Sequence, residues 1–239
     1  AGLIVFVLGK SALNGAGEAP APLAKSTEWL LYAIGVLSVG VIWFLIQYQD
    51  IIQSLLIVSG LALLGYVLYE TFKLPKEPRE RMFAILFLIS LNPLFWGLFE
   101  QAGGSMSLFT DRYVDRGATP ASLFQSINPI YIILLAPLFA GLWQWLGSKG
   151  KEPSAPAKFG LALAQMGLAN LVLVWGAEAY GIVAMTPVIL VFAYYFFATT
   201  AELCLSPVGL SAMNRLAPKH LASLIMGAWF YMTAVGNFV

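Results

Sequence analysis

Along the 239-residue chain, apolar positions gather into seven runs of roughly helix-spanning length, parted by short polar loops. The runs are Trp29–Ile46, Ile51–Phe72, Met82–Gln101, Phe124–Gly147, Phe159–Ala177, Met185–Leu205 and His220–Val239. About twenty residues at ~1.5 Å per residue cross ~30 Å of hydrocarbon. Leu, Phe, Trp, Ala and Gly are mixed within the runs without a period of two, which favours spanning helices over the strands of a membrane barrel. A shorter apolar stub, Gly2–Gly9, precedes a segment of small residues and prolines, KSALNGAGEAPAPLAKSTE, which predicts a flexible loop. The pattern predicts an all-α, polytopic transmembrane helical bundle.

Composition strengthens this expectation. Hydrophobic residues make up 59% of the chain and charged residues 10%, with a mean hydropathy of +0.80. A soluble domain is nearer one quarter charged, because its surface must be wetted. Cationic residues also alternate between the loops. Lys10, Lys25, Lys73, Lys76, Arg79, Arg81, Lys149, Lys151, Lys158, Arg215 and Lys219 fall on one side, and Arg112 and Arg116 on the other. The side rich in Lys and Arg is predicted to face the cytoplasm. A net charge of +1, without a basic stripe interleaved with aromatics, predicts no nucleic-acid partner. Cys204 is the single cysteine, so neither an internal disulfide nor a Cys-rich metal site is expected. The chain opens at Ala1 and stops at Val239 inside apolar runs, which predicts an internal fragment of a longer protein.

Polar groups at membrane depth are costly and call for an explanation. Glu100, late in FWGLFEQ, and Glu202, central in TTAELCLSP, stand out. Each could be held between helices purely for packing, or could serve a substrate or a proton, because a desolvated carboxylate is readily protonated. Trp96, Phe99 and Glu100 are spaced to share a helix face, as are Glu202 and Ser206. Asn128 precedes Pro129 near the start of its run, and Trp229 lies within the last one. Two acid-bearing faces with rings suit a cavity for a cationic group attached to varied apolar side chains. Pro93, Pro129, Pro137, Pro187 and Pro207 lie in or beside the runs and favour kinks. Gly160, Ala164 and Gly167 share a face that predicts a close helix contact. His220 is the only histidine and has no partner at metal-ligand spacing, and no catalytic constellation or phosphate loop is found.

The stretches FWGLFEQAGGSMSLF, QSINPIYIILLAPLFAGLW, AELCLSPVGLSAMNRLAP and GAWFYMTAVGNF resemble the C-terminal half of the proton-dependent oligopeptide transporters of the major facilitator superfamily. The resemblance runs essentially throughout the chain in motif order. It implies that residues 1–9 are the end of a sixth helix, 10–28 a cytoplasmic linker and 29–72 an inserted helical hairpin. Residues 82–239 would then be helices seven to eleven of a partial C-terminal bundle. The N-terminal six-helix bundle and the twelfth helix would be missing.

By motif position, Glu202 resembles the acid that holds a peptide's amino terminus, with Ser206 beside it and Asn128 helping. Trp96, Phe99 and Trp229 look like pocket walls, and Glu100 like the acid used in proton coupling. The implied activity is proton-coupled symport of di- and tripeptides across a bacterial cytoplasmic (inner) membrane by alternating access. Its partners would be peptides, protons, the lipid bilayer and the other bundle, and no cofactor or metal is implied. A major facilitator transporter of another solute is the alternative. A membrane enzyme or scaffold is disfavoured because no reactive constellation is present.

Overall fold

The computed structural model describes residues 6, 7, 9, 24–180 and 184–238. The apolar stub and the linker predicted over 1–28 therefore lie largely outside the described residues. Two compact units are present, residues 1–55 and 56–239.

In the first unit, α1 (Lys25–Ile46) is apolar on every side and buries none of its residues. Trp29, Val36, Leu37 and Trp43 are exposed along it. An all-round apolar helix with none of its residues buried among the described residues fits lipid as its solvent. Gln47 N–H donates to Phe44 O at 3.1 Å and Tyr48 N–H to Leu45 O at 2.9 Å, closing the turn into α2 (Gln49–Lys73).

The second unit begins within α2. It continues through α3 (Lys76–Phe99), a 3-10 turn at Glu100–Ala102, and the short α4 (Ser105–Tyr113). Then come α5 (Ile127–Ser148), α6 (Ala155–Tyr180), α7 (Ile189–Leu216) and α8 (Ala222–Phe238). Among the described residues, six helical segments are long and apolar enough to cross a membrane. The last apolar run forms the 17-residue α8, which is shorter than these. A two-residue pair, β1 (Val114–Asp115) and β2 (Thr186–Pro187), joins two loops in parallel.

Buried positions on α3 recur every three or four residues at Met82, Ile85, Leu88, Ile89, Asn92 and Phe95, the mark of one core-facing helix face. α7 carries the most extensive core, including Val191, Tyr194, Ala198, Ala201, Leu205 and Met213. Pro93, Pro137 and Pro207 lie inside their helices, while Pro129 falls in the first turn of α5, where its missing N–H costs nothing. The sixth run was expected to end at Leu205, but α7 continues past Pro207 to Leu216. A proline removes only one ladder bond, and flanking bonds and neighbouring helices carry the helix onward.

The expected close contact through Gly160, Ala164 and Gly167 is not made among the described residues. Gly160 and Ala164 are exposed, and a Cβ built at Gly160 or Gly167 meets no atom within 4 Å. α6 is instead turned so that Phe159, Ala162, Met166 and Ala169 face the core, and the tight approach comes at Gly176. There a Cβ would lie 2.5 Å from Leu190 Cδ1.

At the crossing of α3 and α8 the neighbour is backbone, which yields less than the end of a side chain. A Cβ at Gly236 would lie 2.8 Å from both Pro93 O and Trp96 Cβ. The Asn92 amide, fully buried, donates to Trp229 O at 3.0 Å and to Thr233 Oγ1 at 2.8 Å. Tyr231 donates to Leu56 O, so the Ser59 hydroxyl, 2.9 Å away, is the donor to Tyr231.

Lys158, expected in a loop, lies in the first turn of α6 with only 5% of its surface exposed. Its ammonium is 2.6 Å from Glu152 Oε1 and 4.2 Å from the centre of the Trp143 ring. The hydrogen bond from Lys158 holds the Glu152 carboxyl below its ordinary value, and the charge of Lys158 acts in the same direction.

Two predictions test this packing. Gly236→Ala should destabilise the bundle by about 1–3 kcal/mol, as overpacking does, read as a lower thermal midpoint in detergent; an unchanged midpoint would show that the crossing has slack. Glu152 has a folded pKa below its unfolded one, so its stabilisation is present above the ordinary carboxylate range and lost as pH falls through the folded value. Acidification below about pH 4.3 should therefore lower the midpoint of the wild type more than that of Glu152→Gln.

Candidate functional site

Asn128 and Glu202 are brought together by the start of α5 and the middle of α7. Pro129 fixes a helical φ just after Asn128, which suits the opening turn and leaves the Asn128 side chain to reach across. Thr199 and Glu202, three residues apart, share one face of α7. The Asn128 amide nitrogen donates to Glu202 Oε2 and to Thr199 Oγ1, each at 3.1 Å. A carboxylate can only accept, so the nitrogen, not the oxygen, of the Asn128 amide must face it. Glu202 is half-buried, and among the described residues no Lys, Arg or His comes within ion-pair distance of it or of Glu100. A carboxylate among apolar helices with one neutral donor retains an unmet demand for a cation or a proton.

Ser206, one turn beyond Glu202, has a buried hydroxyl oxygen without a hydrogen-bond partner among the described residues. Glu100 opens the 3-10 turn at the end of α3 and is exposed. It borders a cavity of about 170 Å³ that Asn128 also lines, so the two acid-bearing regions meet around one space. Phe99 lines the same cavity, and its ring meets that of Trp96 edge-on at 5.3 Å. The Trp96 indole N–H is buried and unpartnered among the described residues.

Trp229 is placed differently from the other rings. It is 3% exposed, sits edge-on to Phe159 at 5.9 Å, and occupies the space where Gly209 lacks a side chain. No described contact brings its ring to Glu202.

Several neighbours were missed from the sequence: Thr199, Gln125, Tyr194 and Tyr195. Tyr195, Ala198 and Glu202 lie at i, i+3 and i+7, so helical spacing from Glu202 offered a signal for Tyr195. Gln125 lies in a 3-10 turn that precedes α5 and has no periodicity to reveal it. Among the described residues no group of three or more His, Cys, Asp or Glu could hold a metal ion.

Six described helical segments long and apolar enough to span a bilayer define an integral, multi-pass membrane protein. The model of the POT family matches residues 1–239, and the chain belongs to that family. A peptide transporter of Yersinia enterocolitica, YePEPT, is 36% identical over 190 residues, covering 76% of this chain and 37% of that protein. Dipeptide and tripeptide permease B of Salmonella typhimurium is 31% identical over 249 residues, covering 98% of this chain and 50% of the permease. A solved POT family transporter in complex with a thioalcohol-conjugated peptide superposes with a TM-score of 0.75 at 27% identity, covering 99% of this chain and 52% of that one. The chain thus spans about half the length of these relatives, or less.

Proposed function

We propose that this chain supplies one half of a proton-coupled symporter of di- and tripeptides, acting by alternating access in a bacterial cytoplasmic membrane. The observation that carries this reading is the half-buried Glu202 carboxylate, held by a single amide and lacking a cation, within a chain of the POT family. The names of the Yersinia and Salmonella relatives support peptides as the substrate class.

The ammonium group of a peptide meets the need that Glu202 leaves open. Asn128 fixes one carboxylate oxygen, Oε2, and Ser206 offers an unused hydroxyl one turn away. Trp96 and Phe99 present rings for side chains of varied shape, which apolar contact accepts with little discrimination. Trp229 belongs to the same wall in this reading, its ring held from behind by Phe159. Glu100 is the proton-coupling acid, and protonation removes the charge that ties it to a base elsewhere in the full transporter. The driving force is the proton gradient, and no cofactor is required.

In the same reading, residues 29–72 are an inserted hairpin and residues 82–239 are helices seven to eleven of the family's C-terminal bundle.

In the full-length transporter, Glu202→Gln should abolish proton-driven dipeptide uptake while membrane expression persists; near-normal uptake would sink the role given to Glu202. Glu100→Gln should lose proton-driven accumulation yet retain part of its counterflow exchange, and an unaltered pH dependence of uptake would count against that assignment.

A further inference from the structure

The C-terminal ends of α5 and α7 and the start of α6 border a cleft of about 460 Å³, at the opposite end of these helices from the cavity beside Asn128. Clefts of ~300–1,000 Å³ are the size that takes small ligands. Lys149 and Lys151, in the loop that joins α5 to α6, lie at this end, on the side predicted to face the cytoplasm.

Three charged groups line the cleft: Lys158, Glu152 and Arg215. Two of them cancel. The buried Lys158 ammonium is 2.6 Å from Glu152 Oε1 and 4.2 Å from the centre of the Trp143 ring. Arg215, in the last turn of α7, is exposed and makes no hydrogen bond or ion pair among the described residues. The hydrogen bond from Lys158 is the main reason the Glu152 carboxyl lies low, and the charge of Arg215 adds to that effect. The cleft therefore carries one positive charge in excess. It sits on a guanidinium, whose fork of N–H donors suits the oxygens of a phosphate. Ser211, four residues before Arg215 on the same helix face, adds a hydroxyl to the lining. Much of the remaining wall is apolar, with Trp143 from α5 and Val208 and Leu216 from α7.

We propose that this cleft binds the headgroup of an anionic phospholipid, with the phosphodiester on Arg215 and Ser211 and the first carbons of the lipid against Trp143, Val208 and Leu216. Charge decides the kind of phosphate. A phosphodiester carries one negative charge and matches the single excess cation. A phosphomonoester brings about −1.5 to −2, and its second charge would stand unmet beside Glu152. The choline of a zwitterionic lipid would bring a further cation to a cleft that is already positive. The apolar wall offers nothing to a free phosphate ion, but it suits the glycerol and acyl carbons that follow a lipid phosphate. A half-buried tryptophan near a helix end and a basic pocket between helices on the cytoplasmic side are both features that hold lipid headgroups. The site lies apart from Glu202 and Glu100, so it does not rest on their roles in transport.

Native mass spectrometry of the full-length transporter, supplied in turn with phosphatidylglycerol, phosphatidylcholine or soluble glycerol phosphate, reads the binding directly. The wild type should retain phosphatidylglycerol at least fivefold more tightly than phosphatidylcholine, and glycerol phosphate hardly at all. Arg215 is exposed, so Arg215→Gln should keep the fold and lose at least fivefold in retention of phosphatidylglycerol. Glu152→Gln removes the competing acid, raises the excess charge to two and should tighten retention at least twofold. A merely structural pair would give the opposite sign. Retention by Arg215→Gln within twofold of wild type overturns the site, and so does Glu152→Gln binding no more tightly than wild type. Equal retention of the two lipids overturns the anionic class. Glycerol phosphate bound as tightly as phosphatidylglycerol makes this a site for soluble phosphates and overturns the lipid.

Discussion

A carboxylate among apolar helices has given up its water and must be held by whatever the protein places beside it. Here the Asn128 amide does this, bridging α5 to α7 by donating to Glu202 and to Thr199. The arrangement is deliberately incomplete in its electrostatics: a neutral donor orients the acid without neutralising it. Had a lysine stood in place of Asn128, the acid would be satisfied and inert. The amide bridge therefore ties α5 to α7 while leaving the Glu202 charge without a cation among the described residues. α3 ends at Phe99 and gives way to a 3-10 turn, which leaves Glu100 exposed at the border of the cavity that Asn128 also lines.

The apolar runs were legible because crossing hydrocarbon imposes a length, and each run became a helix among the described residues, although the ends moved by up to eleven residues. The ends were less legible, most of all beyond Leu205. At Pro207 the neighbouring helices sustain the ladder, which is a tertiary effect with no local signal. Rotation about the helix axis was also hidden. In a helix that is apolar all round, sequence does not say which face meets protein and which meets lipid, so Gly160, Ala164 and Gly167 did not reveal the face of α6 that packs among the described residues. The short amphipathic α4 and the β1–β2 pair were missed because each is too brief for a periodic pattern.

The acids were legible for the opposite reason. Glu202 in an otherwise uncharged stretch is conspicuous, and Asn128 before a proline nearly so. Thr199 and the cavity-lining tyrosines are unremarkable as letters, and their importance arises only where α5 and α7 meet. The family resemblance supplied roles that spacing could not, above all the separation of Glu100 from Glu202. Trp229 shows the converse, since an aromatic conspicuous in the sequence is buried against Phe159 and the vacant side of Gly209.

The contact of Gly236 with the backbone at Pro93 has a mechanical consequence. With Cβ clearance of only 2.8 Å and the buried Asn92 amide clasping α8, the two helices have no room to slide or roll on one another. α3 and α8 must swing as a single lever. Any bending of the helices then falls to elements with slack, such as α7 at Pro207, where a rung of its ladder is absent.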